Sequence, residues 1–355
     1  MVSCKGLWNA GVEHVMMDIV RNLSDKFHFD MLLFTKEVCF FEPEFLKYGT
    51  VFRIPNYEGT SSFRKRMDFY IRFFRIYKGV KKILKENGPY DVIHCHNYFE
   101  AAPCLTAAYH CGVPVRVSHS HNNIPRNHFI LEFYNTVYRF LINRYATNKA
   151  GCSREAADYL FGKNKGISVP NAIDLNKFNV SNYPKQKTKH SFIHVGRFGE
   201  QKNQLFLLDI FKEIQKKWTD ATLKLVGGEN DEYKALLQQK TEKLRINNVY
   251  FLAHDSDVPA LLAQSEYMIF PSTFEGFGLA LAEAQAMKVK CFASDVIPKD
   301  SDIGLCKYIS LNKSAQYWAN EIFKAENEPV KNPDTARIDL VSYADKIKAL
   351  YEGKK

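Results

Sequence analysis

Pro271-Ser272-Thr273-Phe274-Glu275-Gly276-Phe277-Gly278-Leu279 sets an acid beside a glycine turn, and the run continues through Ala280-Leu281-Ala282 to a second acid, Glu283. Before it, Tyr267-Met268-Ile269-Phe270 is apolar throughout and predicts a buried strand, while the Ala- and Leu-rich residues from Leu279 to Met287 predict a helix. Strand, glycine loop and helix in this order aim unpaired backbone N–H groups and the positive end of the helix dipole at one spot, an arrangement suited to phosphate. Like charges repel, so Glu275 has to face another part of such a ligand, and a sugar hydroxyl fits it. Glu283 lies within two turns of the helix start, and a side chain that leans back toward that start suits a ribose diol.

A second glycine corner, Val195-Gly196-Arg197-Phe198-Gly199-Glu200-Gln201-Lys202-Asn203, also follows a strand-like run and precedes a helix-like one. Asn203 is placed to cap that helix. Arg197, with its planar fork, and Lys202, as a point charge, suit a diphosphate. Alone, the corner reads more readily as solvated charges beside a tight turn. Its occurrence in the same half as the Glu275 loop favours the phosphate reading.

Around these corners the chain alternates strand and helix. Strands are expected at 29–35, 91–96, 113–118 and 166–169, then at 191–195, 222–226, 248–252, 267–270 and 289–293, with later helices beginning near Asn203, Asp231, Val258, Leu279 and Ser314. Such alternation predicts an α/β protein with parallel sheets covered by helices, and ligands at the carboxyl ends of the strands. Its 355 residues allow two domains facing a central cleft, 1–170 and 171–337, hinged at Pro170-Asn171-Ala172-Ile173-Asp174. The final segment, 338–355, has an amphipathic helix that can return to the first domain. The opening Met1-Val2-Ser3-Cys4-Lys5 offers only about three residues for a first strand, short of the usual five or six, so a truncated or unusual start is expected.

A net charge of +10 favours anionic partners: nucleotide phosphates, acidic lipid headgroups or nucleic acid. The eight cysteines form no C-x-x-C pair and sit in apolar contexts, as expected of reduced thiols in a cytoplasmic protein. No signal peptide is expected, and no apolar run approaches the roughly 20 residues of a membrane span.

With these residues in hand, the chain resembles the retaining, nucleotide-sugar-dependent glycosyltransferases of the GT-B fold, family 4. The resemblance rests on Gly196-Arg197-Phe198 with Lys202-Asn203, Pro170 to Asp174, Glu275-x7-Glu283 after Pro271-Ser272, Gly11-Val12-Glu13, Asp91 to His96, the His119 region, Cys152 to Ala157 and Glu283-Ala284-Gln285-Ala286. Within the family it is most similar to enzymes of bacterial capsule and exopolysaccharide assembly. The resemblance implies a GT-B fold of two Rossmann-like domains, the first taking a saccharide or polyprenyl-linked acceptor and the second a nucleotide sugar, with UDP the expected nucleotide. It implies no cofactor and no metal. By position, Arg197 and Lys202 match the pair that neutralises the donor diphosphate, Glu275 the acid that orients the donor sugar, and Glu283 the ribose acid. Gly196 and the backbone of Gly276, Phe277 and Gly278 belong to the donor loops, and Gly11 to the loop facing diphosphate and acceptor. His119 or His121 matches the histidine near the reacting carbon, with His119 preferred. Ala10 stands where a glycine is common, and Met287-Lys288-Val289 lacks the glycine usual after the Glu-Ala-Gln-Ala helix.

Other readings start from other residues. Asp255-Ser256-Asp257 and Asp300-Ser301-Asp302 imitate a metal–nucleotide motif but suit turns and helix caps. His94-x-His96 and His119-x-His121, at the ends of adjacent expected strands, could gather a metal and would point to a hydrolase. From Phe63 to Lys85, Arg64, Lys65, Arg66, Arg72, Arg75, Lys78, Lys81, Lys82 and Lys85 face a single acid, Asp68, with Phe63, Met67, Tyr70, Phe74, Tyr77 and Leu84 at helical spacing. That segment is either a core-packed helix with a solvated basic face or a contact for an anionic membrane, which would place the protein on the inner face of the cell membrane. Nucleic acid is not expected, because no groove-reading or base-stacking module accompanies the charge. A sugar-nucleotide epimerase, a glycosyl phosphorylase, or a basic membrane or RNA adaptor remain the competing functions.

Overall fold

The computed structural model describes residues 1–55, 65–122, 129–183, 187–228 and 230–353. It divides into two compact units, Met1–Asn171 with Leu340–Lys355, and Ala172–Asp339. In the first unit the strands are β1 (Val2–Cys4), β2 (Met31–Leu33), β3 (Val51–Arg53), β4 (Val92–Cys95), β5 (Val115–Ser120), β6 (Asn148–Gly151) and β7 (Ile167–Ser168). They form one sheet in the order β3-β2-β1-β4-β5-β6-β7, parallel at each of its pairings. Its helices are α1 (Gly11–Leu23), α2 (Glu42–Phe45), α3 (Lys65–Asn87), α4 (Ala101–His110), α5 (Phe129–Tyr145) and α6 (Arg154–Phe161). α3, α4 and α5 pack side by side.

The second unit repeats the plan with β8 (Ser191–Val195), β9 (Thr222–Val226), β10 (Val249–Leu252), β11 (Tyr267–Phe270), β12 (Lys290–Ser294) and β13 (Cys306–Ile309). The strand order is β10-β9-β8-β11-β12-β13, again all parallel. Helices α7 (Gln204–Gln215), α8 (Asp231–Leu244), α9 (Val258–Ala263), α10 (Leu279–Ala286) and α11 (Ala315–Lys324) cover it. All four residues of β11 are buried, as strands inside a helix-covered parallel sheet have to be. The core stacks Phe192 on Tyr267 at 5.0 Å and Trp218 on Tyr267 at 5.8 Å between ring centroids.

The last helix, α12 (Leu340–Tyr351), returns to the first unit and pairs with α1. It buries Tyr343, Ala344, Ile347, Leu350 and Tyr351, and Asn148 Nδ2 donates to the Leu350 carbonyl at 2.7 Å.

The basic segment differs from its sequence reading. Phe63 and Arg64 lie outside the described residues, and the helix runs Lys65–Asn87. Its buried stripe is Ile76, Val80 and Leu84, whereas Phe74, expected on the apolar face, is 55% exposed beside Ile71 at 47%. Docking on α4 selects the stripe, one position out of phase with Phe74.

Two departures in the turns have simple backbone explanations. Ala10 precedes α1 with φ −137° and ψ 166°, extended backbone that alanine holds without strain. Lys288 instead takes φ +57°, the left-handed conformation a glycine would hold more easily.

Gln285 in α10 joins helix to loop. Fully buried, it donates to the carbonyls of Leu281 and Ser301 and accepts from the N–H groups of Ile303 and Leu305 at 3.0 and 3.1 Å. Replacing it with a similar-sized apolar group orphans three backbone groups of the 301–305 loop. Gln285→Leu is expected to lower the unfolding free energy by about 2–4 kcal/mol. Urea denaturation measures it, and a loss below about 0.5 kcal/mol would show that the loop does not depend on this side chain.

Candidate active site

In the second sheet the chain leaves β8 toward β9 on one side and β11 toward β12 on the other, so strand order reverses between two adjacent strands. Loops leaving the carboxyl ends at such a switch point diverge and leave room for a ligand. Those loops are 196–203 after β8 and 271–278 after β11, the two glycine corners of the sequence.

Hydrogen bonds lace them together. The Thr273 N–H donates to the Gln201 carbonyl at 2.8 Å, and the Thr273 hydroxyl to the same oxygen at 3.2 Å. Gln201 Nε2 returns a bond to the Phe274 carbonyl at 3.0 Å, and Asn203 Nδ2 donates to the Pro271 carbonyl at 3.2 Å. Asn203 therefore does not cap α7 with its side chain. It stands at the cap position in left-handed backbone, φ +55° and ψ 38°, and bridges the loops instead. The capping work inside the first corner falls to fully buried Gln204, whose Nε2 donates to the Arg197 carbonyl at 2.9 Å and whose Oε1 accepts from the Gly199 N–H at 3.3 Å.

On this base Lys202 Nζ meets Glu275 Oε1 at 2.6 Å, with side-chain exposures of 17% and 9%. The ammonium also lies 4.8 Å from the centre of the Phe270 ring. Gly196 makes room for the lysine, since a Cβ there would stand 3.0 Å from Lys202 Cε. Gly278 holds φ +93° at the cap position of α10, which a side chain would strain. Among the described residues the N–H groups of Gly276, Phe277 and Gly278 donate to no protein acceptor. Arg197 is exposed, with no ion-pair partner among the described residues, and shares with Lys202 a pocket of ≈ 260 Å³ closed by Gly228 and Asn230. A larger depression of ≈ 400 Å³, lined by Ser24 to His28 with Lys47 and Tyr48, lies beside the amino end of β2, away from the carboxyl ends. Glu283 is half-buried a little over one turn into α10.

At the carboxyl ends of β4 and β5 the first unit gathers histidines instead of cations. His94, His96, His119 and His121 are all buried. Tyr351 Oη lies 2.8 Å from His94 Nδ1, His94 Nε2 lies 3.3 Å from His119 Nδ1, and His96 Nδ1 lies 2.7 Å from His121 Nε2. Across the β1–β4 switch point α1 starts at Gly11 with no side-chain cap.

Two family models match adjoining halves of the chain: Glycosyltransferase Family 4 over residues 9–177 and Glycosyl transferases group 1 over residues 176–335. The chain belongs to these glycosyltransferases. EpsF of Bacillus subtilis (strain 168), which bears a glycosyltransferase name, is 29% identical over 345 residues, covering 90% of this chain and 85% of its own. The capsular polysaccharide biosynthesis glycosyltransferase CapH of Staphylococcus aureus is 27% identical over 78% of this chain and 81% of its own. Among solved structures, Anabaena Alr3699/HepE in complex with UDP and glucose superposes with a TM-score of 0.78 at 18% identity, over 99% of this chain and 98% of its own. The two parallel-sheet units are thus those of a GT-B glycosyltransferase.

In this glycosyltransferase the structure brings Lys202 onto Glu275, and Arg197 and Lys202 into one pocket. It brings His119 and His121 into one buried cluster, bonded to different partners. Gln201, Gln204 and Tyr351 escaped the sequence reading. Gln201 and Gln204 lay inside or beside the quoted corner, but nothing local marks a glutamine whose partner is 73 residues away. Asp257 caps α9 by accepting from the Ala260 N–H at 3.1 Å, and Asp302 accepts from the Gly304 N–H at 2.8 Å, so both Asp-Ser-Asp triplets have local work. Ligand atoms of His94, His96 and His119 fall within 4.8 Å of one another, the one group among the described residues able to gather a metal ion. Both nitrogens of His94 are already engaged, so a metal would have to displace Tyr351 or His119.

Burial keeps these rings neutral: His94, His96 and His119 are held well below the ordinary histidine range, His121 is pushed down to about 3, and His194 on β8 to about 4. Their folded pKa values lie below the unfolded value near 6.5, so the unfolded chain takes up protons first as the pH falls. The stability they confer is full above about pH 6.5 and is lost on acidification, by up to about 1.4 kcal/mol per pH unit for each ring. Urea unfolding at pH 7.5, 6.5 and 5.5 is expected to show this decline, and a flat profile would contradict the neutral burial.

Proposed function

We propose that this glycosyltransferase moves a sugar, with retention of anomeric configuration and without a metal, from a UDP-sugar to a lipid-linked or growing saccharide in bacterial surface polysaccharide assembly. The observation that carries the reading is the Lys202–Glu275 pair set between two laced glycine loops. A cation held by one carboxylate, beside free N–H groups and an exposed Arg197, suits exchange onto a stronger anion. A diphosphate offers Lys202 more charge than Glu275 does, and the carboxylate it releases can accept hydroxyls of the donor sugar. Glu283 takes the ribose. As the sugar departs, negative charge grows on the β-phosphate, so fixed cations and N–H dipoles there bind the transition state more tightly than the ground state. His119, in preference to His121, supplies a hydrogen bond near the reacting carbon, and Gly11 opens a helix start toward diphosphate or acceptor. No protein nucleophile is assigned.

Relatives support the substrate class. CapH is named for capsular polysaccharide biosynthesis. An Escherichia coli relative, 25% identical over 76% of this chain, is a galactosyltransferase named for UDP-Gal and a diphosphoundecaprenol-linked GlcNAc. HepE was crystallised with UDP and with UDP-glucose.

Among the described residues no helix is long and apolar enough to cross a membrane. A lipid-linked acceptor would instead be met at the cytoplasmic membrane face by α3, where Ile71 and Phe74 stand exposed among Arg75, Lys78 and Lys82, and by Phe140 of α5, 67% exposed. Each basic residue near an anionic surface adds about 1 kcal/mol.

Turnover with purified UDP-sugars tests the catalytic roles. Lys202→Ala is expected to lower kcat by ~10²–10³, and Glu275→Ala to abolish transfer while UDP still raises the thermal midpoint. EDTA is expected to leave the rate unchanged. Unaltered turnover in Glu275→Ala would remove its assignment, and loss of activity in EDTA would favour metal chemistry. A requirement for inorganic phosphate would favour a phosphorylase. For the membrane, co-sedimentation with phosphatidylglycerol vesicles is expected to fall with rising salt and to weaken in Phe74→Ser. Equal binding to neutral vesicles would exclude the basic-face reading.

A further inference from the structure

Tyr351, the last residue of α12, reaches the histidine cluster from the far end of the sequence. It sits edge-on to His94 with ring centroids 5.5 Å apart, and the rings of His94 and His119 are within 9° of parallel, which lets their in-plane nitrogens meet. The order Tyr351–His94–His119 is a chain of single hydrogen bonds in which each neutral imidazole carries one proton. Where those protons sit can be worked out by counting unmet groups.

The Tyr351 hydroxyl has one proton. Around it stand Phe27 and Phe29, at 5.3 and 6.5 Å between centroids, which accept nothing of comparable strength, and among the described residues its acceptor is His94 Nδ1. If Tyr351 donates there, His94 carries its proton on Nε2 and donates to His119 Nδ1, and His119 carries its own on Nε2. The reverse order leaves two groups unmet, the tyrosine O–H and the His119 Nε2 lone pair. The forward order leaves one, the His119 Nε2–H, an atom that is buried and without a protein partner. Since an unmet buried polar group is costly, the forward order wins. Burial supports it by holding both rings neutral and the tyrosine protonated.

We propose that Tyr351 is a positioning residue that, acting through His94, fixes His119 in the Nε2–H tautomer and so presents a hydrogen-bond donor to a substrate oxygen. The use of that proton rests on the glycosyl-transfer reading. The tautomer does not. The arrangement also makes α12, which follows the whole second unit in sequence, part of the first unit's chemistry. His121 has a different place: its bond to His96 leaves open which of the two rings donates, so no equivalent proton is fixed there.

Long-range ¹H–¹⁵N correlation spectra of the full chain with ¹⁵N-histidine read the tautomer directly, without substrate. Wild type is expected to show His119 protonated at Nε2. Tyr351→Phe, which removes one oxygen and keeps the ring, is expected to shift His119 toward an Nδ1–H mixture and to lower kcat about tenfold with KM for the UDP-sugar within about twofold. His94→Leu, which breaks the relay while leaving Tyr351 in place, is expected to reproduce both effects. An Nδ1–H His119 in the wild type, or an unchanged tautomer in Tyr351→Phe, would overturn the proposal, as would a shifted tautomer with unchanged kcat. A wild-type protein that consumed no nucleotide sugar would overturn the transfer reading instead, and the spectra would still decide the relay.

Discussion

Parallel pairing of β8 with β11 is the constraint behind the donor side of the site. In a parallel pair both carboxyl ends lie at one edge, and each strand's successor here departs in the opposite direction. Two loops are thereby left facing each other with backbone groups that neither sheet nor helix can satisfy. Gln201, Asn203 and Thr273 satisfy several of them across the gap. The lacing holds the loops so that Lys202 falls on Glu275, and Gly196 leaves the lysine stem room that a side chain there would crowd. The ion pair is a result of the lacing and adds little of its own stability, since removing two charges from water offsets most of their attraction.

The first unit uses the same strand order, with one more strand, β7, at its edge, and different chemistry. Where the second unit places cations and N–H groups after its central strands, the first places four neutral imidazoles at the carboxyl ends of β4 and β5. Cations at a switch point stabilise developing negative charge. Neutral rings held below their ordinary pKa cannot do that, but they can hold a proton at a fixed atom. α12 contributes to this by bringing a hydroxyl into an otherwise histidine-rich and aromatic interior.

Much of the second unit was legible. β8, β9 and β11 fall on the residues expected, and α8, α9 and α10 begin at Asp231, Val258 and Leu279 as read, because apolar runs there are bounded by glycine, proline or capping acids. β3, β6 and β13 were not read. Asn148-Lys149-Ala150-Gly151 and Cys306-Lys307-Tyr308-Ile309 carry too little apolar pattern to announce a strand, and their strand character comes from partners in the sheet. In α3 the helix itself was legible and Leu84 falls on its buried face as expected, but Phe74 does not, since the neighbouring α4 fixes which stripe is covered.

The sequence by itself determined the order strand, glycine loop, helix, the residue types at each corner, and through them the two-domain α/β fold and the candidate residues Arg197, Lys202, Glu275 and Glu283. These are properties of chain segments a few residues long, where backbone propensity, turn sterics and hydrophobic periodicity act between near neighbours. Folding in three dimensions decided what those residues touch: Asn203 bridging to Pro271 instead of capping, Gln285 pinning the 301–305 loop, and Tyr351 meeting His94 across 257 residues. The reason is that a buried polar side chain takes whichever partner strand register and helix docking bring within about 3 Å, and neither register nor docking is written in the residues beside it.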